Sequence, residues 1–295
     1  MKYNLIFDID QTLLNCFNYR PIVLPTRVIN NKKIDKIIDT SYEYYFNINV
    51  YENGFKYKLF FSIRPYVFTL LRYAYKNFNV SYWTAGTYQY AEKVLKTILT
   101  SKQYDETIMI FGRKNKNEFN TYIDVVSKFE IISDGHQDKK NIYPIAKKLS
   151  ILFNHDYYKN IFNKDNTLII DDSNTIKKYN PFNSIVIPPY QPFIYDVVLL
   201  TILKFVHYLN INKQVSVQQF LENYIFEFNN ITLYGKIKKW FSKCFKVGDI
   251  VKSKTDKNKY IFGIIWDIQD ENIYLIDFNG NILNNTFKKK MLKYF

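Results

Sequence analysis

The sequence predicts an α/β fold, a doubly wound parallel sheet carrying a β-hairpin insertion, followed by a small all-β module. Three observations lead there. Short apolar runs alternate with stretches of helical period along the first two thirds of the chain. Three of those runs end on polar residues: Asp8 and Asp10, Thr84, and Asp171 with Asp172. Near the C-terminus the pattern changes to short strands separated by turn signals.

The first strand runs through LIF to Asp8. A long excursion follows, ending in YFNINVYENGFKYKLFFS, which alternates across Asn53-Gly54, the chemistry of a tight hairpin turn. Arg64-Pro65 then opens a helix whose Val67, Leu70, Leu71, Ala74 and Phe78 share one face. VSYWT at 80–84 reads as a second strand, and Ala91, Val94, Leu95 and Ile98 mark the helix after it. TIMIF at 107–111 is a third strand, leading into a polar insertion at 112–140 with no clear periodicity. LIIDDS at 168–173 and SIVIPP at 184–189 are two more buried strands. In an open parallel sheet, ligands bind beyond the carboxyl ends of the strands, where the three polar endings would meet.

Composition narrows the class. With 295 residues, 47% of them hydrophobic, the chain can bury one large core and a smaller one. The longest apolar candidate, FIYDVVLLTILKFVHYL at 193–209, carries Asp196 and Lys204 and reads as a packed helix rather than a membrane span. The N-terminus enters a strand with Lys2 before it, so a signal peptide is not expected. Cys16 and Cys244 lack metal-ligand spacing, and a soluble, intracellular protein is the expectation. The net charge of +14 owes part of its size to the lysine-rich coding of an AT-rich genome. Its distribution says more: residues 236–295 hold 13 Lys against 6 Asp or Glu, half the excess, which favours a polyanionic partner or a solvated face.

The polar strand ends suggest phosphoryl transfer. Two carboxylates in the turn after the first strand, Asp8 and Asp10, are spaced to converge on one divalent cation. Asp8 would attack phosphorus, while Asp10 protonates the leaving oxygen and then activates water. Mg²⁺ would offset the repulsion between an anionic nucleophile and a phosphate dianion. Thr84 would bond phosphoryl oxygens, a carboxylate of Asp171/Asp172 would complete the metal shell, and Lys147 or Lys148 would supply the missing cation.

Several ordered motifs then carry a resemblance. FDIDQTLLN, the hairpin with the R-P helix, WTAGTYQYAEKVL, AKKLSIL, LIIDDSNTIKKYNPFNSIVIPPY and YDVVLLTILKFVHYL together resemble the haloacid-dehalogenase superfamily, and within it the phosphatases of the RNA polymerase II C-terminal repeat domain. The resemblance covers residues 1–210 and implies a HAD-like Rossmannoid phosphatase domain. It implies Asp8 as nucleophile and Asp10 as acid/base, with Asp8, Asp10, Asp172 and Asp171 around Mg²⁺. Asp171 would pair with Lys147 or hold a metal-bound water. Thr84 would be the phosphate-binding hydroxyl and Lys147 the family lysine. Tyr90 falls where these enzymes line an apolar pocket for a substrate proline, and Arg113 is a candidate substrate contact. Gln11 and Lys148 depart from the family pattern, which generally has an acid at each place.

Residues 211–241 read as a helical connector. Residues 242–295, with Gly263-Ile264-Ile265 and an Asn279-Gly280 turn, resemble an SH3-like or Tudor-like barrel on which Tyr260, Trp266, Tyr274 and Phe278 could stack on a peptide or nucleic acid. The expected function is a Mg²⁺-dependent phosphatase using an aspartyl-phosphate, acting on phosphoserine or phosphothreonine of a protein such as the polymerase tail. The alternatives are a nucleic-acid 3′- or 5′-end phosphatase and a catalytically idle docking protein.

Overall fold

The structure, a computed structural model, describes residues 2–17, 43–52, 55–114, 121–132, 147–192, 195–212, 214–223, 230–231, 250–254, 260–269, 272–277, 281–288 and 292–294. β1 (Asn4–Phe7) enters the acidic turn and β2 (Leu14–Phe17) leaves it. β3 (Tyr44–Glu52) and β4 (Phe55–Ile63) form the expected hairpin, and β2 joins it in the order β2-β4-β3. Glu52 pairs with Phe55, leaving two residues for the turn; Asn53-Gly54 themselves lie outside the described residues.

The chain continues through α1 (Val67–Asn77), β5 (Asn79–Thr87), α2 (Tyr88–Ile98), α3 (Ser101–Asp105) and β6 (Met109–Arg113). β7 (Thr121–Asp124), β8 (Glu130–Ile132), α4 (Ser150–Asn154), β9 (Thr167–Asp171), α5 (Thr175–Tyr179) and β10 (Ser184–Val186) follow. Then come β11 (Tyr195–Asp196), α6 (Val198–Ile211), α7 (Val217–Glu222) and β12 (Asn230–Ile231). β13 (Ile250–Lys254), β14 (Tyr260–Gln269), β15 (Asn272–Ile276), β16 (Ile282–Lys288) and β17 (Leu292–Tyr294) end the described chain.

The main sheet has the order β10-β9-β1-β5-β6-β7-β8, parallel from β10 to β6 and antiparallel beyond. Its strands read as continuous apolar runs because both faces are buried. Leu5, Phe7, Leu168 and Ile170 face the larger core with α1 and α6. Ile6 and Ile169 point the other way, to Leu149, Leu152, Tyr158 and Phe162. The apolar helix faces expected for α1 and α2 are buried in the larger core. β1 thus lies at the centre, between β9 and β5, with the ends of all three adjacent.

Several boundaries differ from expectation. Part of the polar insertion continues the sheet as β7 and β8, strands of four and three residues, too short to display a period. Buried Tyr122 and Ile131 hold them, and the Asp124 carboxylate accepts from the Ile110 amide at 2.8 Å and the Tyr158 hydroxyl at 2.7 Å. Residues 115–120 and 133–140 of the insertion are outside the described residues. The apolar run at 193–209 starts its helix only at Val198, because Tyr195 and Asp196 pair with β12 instead. The connector accordingly contains both a helix, α7, and a strand, β12.

The C-terminal strands form a five-stranded antiparallel sheet, order β16-β15-β14-β13-β17. Ile264 and Ile276 enter the main core, and Tyr274 packs against it. The side chains of Tyr260, Trp266 and Phe278, and the Asn279-Gly280 turn, are outside the described residues. Among the described residues, no helix is long and apolar enough to cross a membrane.

Arg64 ties these parts together. Its side chain is fully buried, and its Nε donates to Asp196 Oδ2 at 2.9 Å. Its two terminal nitrogens donate to the carbonyls of Thr12 at 3.2 Å, Gln11 at 3.4 Å and Pro188 at 2.9 Å. One guanidinium therefore joins the acidic turn, the segment after β10 and the start of α6, using the planar fork that lysine lacks. Removing one partner of a buried ion pair strands the other charge. Arg64→Met is expected to lower the unfolding free energy by about 3–5 kcal/mol in urea titration. Arg64→Met combined with Asp196→Leu should lose less than the sum of the two single changes.

Candidate active site

The site forms where β1, β5 and β9 end. β1 and β9 are in register at Phe7 and Ile170, so the next residues, Asp8 and Asp171, stand side by side. Two carboxylates abreast would repel one another; Lys147 stands between them. Its Nζ donates to Asp8 Oδ1 and, at 2.7 Å, to Asp171 Oδ2. All three are nearly buried, with 5%, 6% and 2% exposure for Asp8, Lys147 and Asp171. Lys148 instead lies over the Tyr179 ring, at 5.3 Å. Asn180 fixes the lysine's backbone, donating to the Lys147 carbonyl and accepting from the Leu149 amide, each at 2.8 Å.

The turn after β1 brings up the second carboxylate. Gln11 is left-handed at φ 57°, a conformation costing roughly 1–2 kcal/mol for such a residue. That bend is held by the Tyr190 amide, which donates to the Gln11 carbonyl at 2.6 Å, and by Arg64. Asp10 then accepts from Thr84 Oγ1 at 3.3 Å and from the Tyr90 hydroxyl. Thr84 also accepts from the Gly86 amide at 3.0 Å. Asp172 accepts from buried Thr12 at 3.3 Å, and Asp171 Oδ1 accepts from the Ser173 amide at 2.8 Å.

A cleft of about 340 Å³ is lined by Asp8, Asp10, Gln11, Ala85 and Lys147, with Asp171, Asp172, Ser173, Thr175 and Ile176. The structure thus brings Asp8, Asp10, Thr84, Lys147, Asp171 and Asp172 to one place. Arg113 ends β6 at the edge of this place, its Nε donating to the Ala85 carbonyl. Tyr90, expected along an apolar substrate pocket, packs beside Phe61 with ring centroids 6.0 Å apart and sends its hydroxyl to Asp10.

Electrostatics define what the cleft will accept. Burial pushes the Asp8 carboxyl well above the ordinary carboxylate range; Lys147 opposes the rise, and Asp171 and Asp10 add to it. Burial likewise raises Asp10, against hydrogen bonds from Tyr90 and Thr84, and raises Asp172, with Asp171 contributing. For Lys147, burial disfavours the ammonium, but Asp171 and Asp8 outweigh it and hold the group above its ordinary value. Four carboxylates around one lysine leave surplus negative charge. Ligand oxygens of Asp8, Asp171 and Asp172 lie within 4.8 Å of one another, an all-oxygen set that suits a hard divalent cation such as Mg²⁺.

Sequence reasoning missed Arg64, Asn180, Tyr190 and Asp196 as supports of the site. Their signals were faint: Arg64-Pro65 reads as the opening of a helix, and Asp196 as a charged residue within an apolar run.

A central parallel sheet with its first strand ending in D-x-D, a buried lysine and a second acidic pair is the arrangement that the resemblance to HAD-like, CTD-phosphatase-like proteins implies. The sequence model of the NLI interacting factor-like phosphatases matches residues 3–218, and the chain belongs to that family. It is 28% identical over 131 residues to a CTD phosphatase-like protein, 355R, of Invertebrate iridescent virus 6, a match covering 43% of this chain and 60% of the viral protein. Two solved structures of the RNA polymerase II CTD phosphatase Fcp1 are similar to it, one of them from fission yeast and bound to beryllium fluoride. The first is 19% identical with a TM-score of 0.39, the second 20% with 0.40; each match covers 65% of this chain and 43% of the Fcp1 chain.

The raised acids give a stability test. A carboxyl whose folded-state pKa lies above its unfolded value contributes stability at low pH that is lost as pH rises through the folded value. Asp172→Asn is therefore expected to stabilise the metal-free protein at neutral pH, and the gain should fade on acidification toward pH 4, near the unperturbed value of 3.8. Mg²⁺ should raise the melting temperature of the wild type at neutral pH, and much less that of Asp172→Asn, in paired thermal melts.

Proposed function

We propose that this chain is a Mg²⁺-dependent phosphatase that acts through an aspartyl-phosphate on Asp8 and removes phosphate from phosphoserine or phosphothreonine of a protein. The polymerase tail is the model substrate. The observation that carries this reading is the Lys147 ammonium bonded to both Asp8 and Asp171 inside an acidic cleft. Such a lysine favours the ionised form of Asp8 against the effect of its burial and faces the charge that develops on a transferring phosphoryl group. Membership of the NLI interacting factor-like phosphatases and the name of the viral relative favour a protein substrate.

In this mechanism a carboxylate oxygen of Asp8 attacks phosphorus as the ester P–O bond breaks. Asp10 gives its proton to the departing serine oxygen. The raised affinity of Asp10 for a proton, caused first by burial, suits it to that task. Asp10 then takes a proton from water as the water attacks the acyl phosphate; the bond to Asp8 breaks and inorganic phosphate leaves. Thr84 would bond phosphate from within the site, and Arg113 would contact peptide at its edge. Asp8, Asp171, Asp172 and the Asp10 carbonyl would hold Mg²⁺, which when bound neutralises phosphate charge so that the carboxylate can approach.

The domain reading follows the same division: a phosphatase domain at 1–210, a connector at 211–241 and an SH3- or Tudor-like module at 242–295. The β13–β17 pairing, which returns the last strand to the first of its sheet, supports the barrel reading. The lysine excess of this region makes it the surface for an acidic or nucleic-acid partner.

Turnover of a phosphoserine polymerase-tail peptide should require Mg²⁺ and vanish in Asp8→Asn. Lys147→Met should lower kcat about 10²–10³-fold, as for loss of a preorganised charge partner. Faster turnover of 3′- or 5′-phosphorylated oligonucleotides by orders of magnitude would contradict the protein substrate.

A further inference from the structure

We infer that Tyr90 is a positioning residue: its hydroxyl sets the orientation of the Asp10 carboxyl, so that it acts through the acid and not only as a wall for substrate. This rests on the phosphatase reading above. Asp10 Oδ1 accepts from the Tyr90 hydroxyl while its other oxygen accepts from Thr84, so both carboxylate oxygens are fixed by protein donors. A carboxyl held at both oxygens has its rotation about the side chain locked, which a proton donor to a leaving group needs.

The fold around Tyr90 is shaped to aim its ring. Tyr90 sits in the first turn of α2, its amide donating to the helix-capping Thr87 side chain at 3.4 Å. Phe61 of the hairpin lies beside the ring. Beneath it is Gly86, where a Cβ would stand 2.5 Å from Tyr90 Cδ1 and 3.0 Å from Cε1. Glycine at 86 is therefore the condition for the ring to lie where its hydroxyl meets Asp10. The strand is irregular at this point, its register with β6 shifting between Trp83 and Thr87. A shift of this kind re-aims a side chain.

The consequence depends on the leaving group. An alkoxide such as that of serine needs a proton as its bond to phosphorus breaks, whereas 4-nitrophenolate departs without one. kcat/KM covers the steps up to that departure and is unaffected by hydrolysis of the acyl phosphate. Tyr90→Phe keeps the ring against Phe61 and Gly86 and removes only the donor. Its kcat/KM on a phosphoserine peptide should fall at least about tenfold, the scale of a hydrogen bond to a charged group. On 4-nitrophenyl phosphate it should change less than about threefold, so that the ratio of the two is the readout. Gly86→Ala, which displaces the same ring, should give the same skewed ratio, and thermal melts of both variants check folding. Equal losses on the two substrates, or none, would overturn the role of Tyr90 while leaving the phosphatase reading intact. Absence of Mg²⁺-dependent turnover of both substrates by wild type would overturn that reading and this inference with it.

Discussion

The site depends on one buried ammonium between two carboxylates. Parallel pairing of β1 with β9 forces Asp8 and Asp171 into adjacent positions at the same sheet edge. Buried together, such groups would take up a proton rather than share the negative charge. Lys147 resolves the conflict by donating to both. What results is a buried carboxylate whose ionised form the lysine favours, in an acidic pocket whose oxygen set suits a divalent ion.

Holding that arrangement costs stability, and the surrounding fold supplies it. Gln11 and Tyr66 are both left-handed, at φ 57° and 70°, on either side of the Arg64 network. Arg64 bonds the backbone of the acidic turn directly, and Tyr190 bonds it from the segment that follows β10. Asn180 does the same for the backbone of Lys147. These contacts reach across long sequence separations, and two of them, from Arg64 and Tyr190, brace the acidic turn itself. Gly112 makes a parallel contribution at the sheet: a Cβ there would stand 2.4 Å from Tyr88 Cα, so glycine lets the start of α2 pass close to β6.

Much of this was legible in the sequence, for physical reasons. Parallel strands buried on both faces appear as unbroken apolar runs, and LIF, VSYWT and LIID were read as strands because each is a short apolar run that ends on a polar residue. The helix faces of α1 and α2 followed from period alone. β7 and β8 were not legible, since strands of three and four residues with one inward residue in two carry too little pattern. Nor could period choose between Lys147 and Lys148; that choice is made by Asn180, distant in sequence, which clamps the backbone so that one side chain enters the cleft and the other lies over Tyr179. Gln11 departs from the family pattern in its side chain, and its backbone is what the turn uses.

The central claim is that Asp8 itself becomes phosphorylated. It is tested most directly by acid-quenching the protein within its first turnover of a phosphorylated substrate, reducing acyl phosphates with borohydride and sequencing the peptides by mass spectrometry. The account expects homoserine at position 8 when substrate and Mg²⁺ are both present and not when either is omitted. Turnover with no modification at Asp8, or with the modification on another carboxylate, would contradict it.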